Sequence, residues 1–75
     1  MVELQLNCGS DDGVEADFLV QWLQSRLAMR VSEIGPIKID KSRTVVTVPK
    51  EREGEATMIL GGLTFGSRKV EVSLN

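Results

Sequence analysis

The chain has 75 residues, 41% of them hydrophobic and 27% charged, with a net charge of −2 and a single cysteine. A chain of this length holds one domain, buries only about 60% of the surface its unfolded form exposes, and draws ~3–5 kcal/mol from its core. The composition excludes a disordered chain, the lone Cys8 excludes an internal disulfide, and no apolar run reaches the ~18 residues of a membrane span, so a soluble, cytoplasmic protein is expected.

In chain order, Val2 to Asn7 alternates: Val2, Leu4 and Leu6 take a core face, and Glu3, Gln5 and Asn7 an open one. Cys8 to Gly13 is a turn by composition. Asp12 and Glu15 have capping-box spacing, which starts a helix near Gly13. Phe18, Leu19, Trp22, Leu23 and Leu27 then recur at helical spacing and form the stripe that packs on the sheet.

The helical pattern lapses after Met29. Gly35-Pro36 introduces a strand in which Ile37 and Ile39 face the core, Asp40 to Ser42 makes a tight turn, and Val46 and Val48 continue the core face to Pro49. A short second helix follows, with Ala56, Ile59 and Leu60 or Met58 on its buried side, and Gly61-Gly62 ends it. Leu63 to Phe65 is a brief extended piece, and Arg68 to Leu74 is a last strand with Val70, Val72 and Leu74 inward. The order β-α-β-β-α-β predicts an α+β, ferredoxin-like fold: a four-stranded antiparallel sheet with strands one and three in the middle and both helices on one face.

The chemistry on offer is narrow. With no histidine, no tyrosine and one cysteine, general acid-base work falls to carboxylates and lysines, and Asp11-Asp12 is explained as turn and cap. No enzyme activity is expected of this domain, and no cofactor. A copper-carrying domain of this fold would need a C-x-x-C pair in the first loop, where Cys8 stands alone, so no metal is expected either. Trp22, on a helical stripe, is read as core packing. The open face takes Glu3, Gln5 and Asn7 from the first strand, Lys38, Asp40, Arg43, Val45 and Thr47 from the hairpin, and Lys69, Glu71 and Ser73 from the last strand. It has no ring for base stacking, and by itself it reads equally as a solvated sheet surface.

Five stretches shift that balance: Leu4-Gln-Leu-Asn-Cys-Gly9, Asp12-Gly-Val14, Ile34-Gly-Pro-Ile-Lys-Ile-Asp40, Val46-Thr-Val-Pro49 and Gly66-Ser-Arg-Lys-Val-Glu-Val72. In order and spacing the chain resembles the DbpA-type RNA-binding domain at the C-terminus of bacterial DEAD-box RNA helicases. The resemblance implies an RRM-like fold, spanning residues 1–75 and excised from a longer ATP-dependent helicase. It also implies a role in tethering the helicase core to structured, typically ribosomal, RNA during large-subunit assembly. The chain differs from relatives in having Ser10 after the loop glycine, Arg43 and Val45 where the third strand commonly has an aromatic, and an acidic balance. The expected RNA-binding residues are therefore cations, namely Lys38, Lys41 and Arg43 of the hairpin with Arg68 and Lys69 beside the last strand, and Arg43 is also suited to stack as a flat guanidinium. Two further readings stand beside this one, a protein-interaction module on the same scaffold and an ACT-like small-ligand regulatory domain.

Overall fold

The alternation at the N-terminus forms β1 (Val2–Leu6), and the hairpin forms β2 (Ile37–Ile39) and β3 (Thr44–Val48) in the computed structural model, which describes residues 1–74. Helix α1 spans Ala16–Leu27 and α2 spans Glu53–Leu60; β4 (Thr64–Phe65), β5 (Arg68–Lys69) and β6 (Val72–Leu74) complete the chain. The main sheet is antiparallel in the order β2-β3-β1-β6, so β1 and β3 are central as the β-α-β-β-α-β reading requires.

Leu4, Leu6, Val46 and Val48 point from the central strands into the core, where Leu19 and Leu23 of α1 and Ala56 and Leu60 of α2 meet them. Each large side chain buried there contributes roughly 1.5–3 kcal/mol, which makes the helix-to-sheet layer the main source of stability. Thr44 is buried among these groups at no polar cost, because its hydroxyl donates to the Cys8 carbonyl at 2.8 Å. The indole N–H of Trp22 donates to the Ile59 carbonyl at 3.1 Å, tying α1 to the end of α2.

Three expectations need correction. Helix α1 starts at Ala16, and Asp12 caps a 3-10 turn (Ser10–Asp12) ahead of it by accepting the Gly9 N–H at 3.0 Å. A short polar side chain satisfies nearby backbone donors in a turn as readily as at a helix start, so the spacing alone does not distinguish the two. Secondly, Arg68 to Leu74 is not one strand. β5 pairs with β4 in a separate hairpin, and only β6 joins the main sheet. Gly66, at φ 63°, takes the first position of the two-residue turn that folds β5 back on β4, a conformation suited to glycine. Leu74, paired with Leu4, shares its core-side face as expected, but on the outer strand it is left exposed. Thirdly, Phe18 is 41% exposed: it lies at the margin of the stripe, stacked on Trp22 and edge-on to Phe65. On α2, of the two alternatives, Leu60 is the buried one and Met58 is exposed, while Ala56 is buried and Ile59 half-buried.

The C-terminus of α1 holds a feature without a sequence signal. Ala28 caps it in the left-handed region at φ 53°, ψ 35°, where glycine is usual. The guanidinium of Arg52, from the 3-10 turn before α2, donates through Nη2 to the Leu27 carbonyl there. A cation thus meets the partial negative charge of the helix end.

Candidate functional site

The face of the sheet turned away from the helices carries a registered row. Lys38 pairs with Val45, Val45 with Gln5 and Gln5 with Ser73, so one strand position across four strands presents an ammonium, a small apolar group, an amide and a hydroxyl. Glu3 pairs with Thr47 in the next open-face row. As expected from the sequence, no aromatic side chain stands on these rows. A shallow groove of about 270 Å³ runs beside them, lined by Gln5, Leu6, Asn7, Glu71, Val72 and Ser73.

At the β1-exit end of the sheet, three segments converge. The loop after β1 lies against the β2–β3 turn: the Ser10 N–H donates to the Asp40 carbonyl at 2.9 Å and the Asp11 N–H to the Lys41 carbonyl at 3.0 Å. The approach is so close that a Cβ on Gly9 would lie 2.1 Å from the Asp40 carbonyl oxygen. The turn itself is closed by the Asp40 N–H donating to the Arg43 carbonyl at 2.8 Å. Lys41 and Arg43 are exposed on this turn, directly beside the loop.

The third segment is the β5–β6 junction, and Asn7 holds it. Its side-chain oxygen accepts the Glu71 N–H at 2.8 Å, and its amide donates to the Lys69 carbonyl at 3.2 Å. Its own backbone N–H donates to the Glu71 carbonyl at 3.2 Å. These bonds bring Arg68 over the loop, where Nη1 reaches the Asn7 carbonyl at 3.4 Å and Nε lies 3.2 Å from Oδ1 of Asp12.

Of the five cations expected from the sequence, Lys41, Arg43 and Arg68 therefore border one loop. Lys69 is beside Arg68 on the small hairpin rather than on the main sheet, and Lys38 stands apart in the middle of the open face. Acidic groups accompany them, with Asp40, Asp11 and Asp12 in the same segments. Positive charge here is local and interleaved with negative charge. The sequence reading missed Asn7 and Asp12 as organisers, because their partners lie 62 to 64 and 56 residues away and no local pattern encodes them.

Cys8 sits under this end, fully buried. Burial pushes its thiol upward from the ordinary value; the Asp12 carboxylate adds to the rise and the Arg68 guanidinium opposes it. The thiol is thus a neutral packing group. Phe18, Trp22 and Phe65 form one aromatic cluster, with Phe65 paired opposite Arg68 across the small hairpin and Arg26 lying 4.2 Å above the Trp22 ring. No group of side chains able to hold a metal ion occurs among the described residues.

The family model for the DbpA RNA-binding domain matches residues 3–74, nearly the whole chain. No curated protein matches it.

Proposed function

Because the chain belongs to the DbpA RNA-binding domain family, we propose that this RNA-binding module forms part of a cytoplasmic DEAD-box ATP-dependent RNA helicase. In this reading it tethers the helicase core to structured RNA, with ribosomal RNA the favoured target. The family match carries the reading, and the meeting of Lys41, Arg43 and Arg68 around the Gly9 loop supports where RNA is held. With no ring on the sheet, the domain holds RNA by pairing guanidinium and ammonium groups with phosphate, Arg43 adding a flat cation that can stack on an unpaired base. Lys38 and Lys69 extend the interface along the open face and the small hairpin. Catalysis belongs to the helicase core, and this domain supplies position.

Fluorescence anisotropy with a labelled RNA stem-loop tests this. Arg43→Ala, and separately the pair Arg68→Ala with Lys69→Ala, are expected to weaken binding and to flatten the plot of log affinity against log salt by ~0.7–0.9 for each phosphate that is no longer neutralised. A wild-type chain without measurable affinity at low salt would overturn the proposal.

A further inference from the structure

The RNA-binding reading leaves one side chain unaccounted for. Asp12 places its two carboxylate oxygens on two donors, a buried one and an exposed one: Oδ2 accepts the Gly9 N–H at 3.0 Å, and Oδ1 lies 3.2 Å from Nε of Arg68. A loop N–H and a guanidinium converging on two oxygens of one anion is the arrangement that also receives a phosphate. The two members of the ion pair differ in solvent access. The Arg68 side chain is 55% exposed and sits on a two-residue strand of the small hairpin, whereas the Asp12 side chain is only 19% exposed and fixed in its 3-10 turn.

Resting on the RNA-binding reading, we propose that Asp12 is an internal phosphate mimic that sets the affinity of the domain. It occupies the inner edge of Arg68 and competes with the RNA backbone for that guanidinium. The pair opens from the Arg68 side, where water screens the half-exposed guanidinium and lowers the worth of the contact. RNA engages Arg68 either by displacing the carboxylate or by binding the outer edge of the guanidinium against its charge, and in both cases Asp12 weakens the complex. The acidic balance of this chain then has a specific local role at Arg68 beyond its effect on the net charge.

Asp12→Asn tests this, since an amide oxygen still accepts the Gly9 N–H while the charge is gone. Against the same labelled RNA stem-loop at low salt, the variant is expected to bind about three- to fivefold tighter, the scale of an exposed ion pair. The gain should vanish when Arg68→Ala is added, and Asp11→Asn, which removes an adjacent charge not paired with Arg68, should give a smaller gain. Asp12→Ser, which retains a hydroxyl acceptor for the loop, provides the same reading should the amide variant fail to fold. Unchanged or weaker binding by Asp12→Asn, an equal gain from Asp11→Asn, or a gain that persists without Arg68 would overturn the inference while leaving the RNA-binding reading intact. Absence of wild-type binding removes both.

Discussion

Gly9→Ala tests whether the β1–α1 loop and the β2–β3 turn form one rigid unit. The new Cβ would lie 2.1 Å from the Asp40 carbonyl oxygen and 2.7 Å from both the Arg43 nitrogen and the Lys41 carbonyl carbon, all of them backbone atoms. Non-bonded heavy atoms settle near ~3.5–4.0 Å, so loop and turn must part by more than ~1 Å. Gly9 itself is extended, at φ −150°, a conformation open to alanine, so the penalty is one of space alone. Parting the segments forfeits the bonds from Ser10 to Asp40 and from Asp11 to Lys41, each worth a net ~0.5–1.5 kcal/mol. With the strain of overpacking, the loss is ~2–4 kcal/mol. A chain of this length has a total stability of only ~4–11 kcal/mol. Urea unfolding followed by the fluorescence of the single Trp22 should show the midpoint falling by ~2 M or more, at a slope of ~1 kcal/mol per M. Gly54→Ala supplies the control, because open space surrounds that position in α2 and the same added methyl should stabilise by ~0.5–1 kcal/mol. A Gly9→Ala protein within ~0.5 kcal/mol of wild type would refute the argument, since that is the range of an ordinary surface change.

Two further outcomes follow from single positions. Ala28→Gly relieves a left-handed backbone at the end of α1 and should raise the melting temperature by roughly 2–6 °C, as ~0.5–1 kcal/mol converts in a domain this small; a lowered value in thermal unfolding would show that the strain argument fails. Cys8 governs an alkaline limb of stability. Its thiol holds its proton to a higher pH in the folded chain than in the unfolded one, so its contribution is complete below the unfolded value near 9.0 and is lost as pH rises through the folded value. Urea midpoints should therefore fall above that pH in the wild type and fall less in Cys8→Ala, and equal slopes would remove the thiol from the account.

Much of the fold is legible in the sequence because its signals are local. The alternation of Val2 to Leu6 and of Thr44 to Val48, and the helical recurrence of Leu19 and Leu23, each commit a face to the core whatever the neighbours are. Arg68 to Leu74 fails as a single strand for the same reason. Alternation says which residues share a face but not which strand they pair with, and Asn7 divides the segment by hydrogen bonds from the far end of the sequence.

The site divides similarly. The sequence by itself determined the inventory: cations in the hairpin and near the last strand, no ring on the open face, and a lone cysteine at the end of the first strand. Only the tertiary structure decided which of these meet. Lys41, Arg43 and Arg68 border one loop because Gly9 lets two backbones touch and Asn7 swings the β5–β6 junction over them. Asp12 then becomes the partner of Arg68 rather than the cap of a helix. Those pairings depend on side chains and carbonyls far apart in the chain, and their energies are set by distance in space, which a linear pattern does not carry.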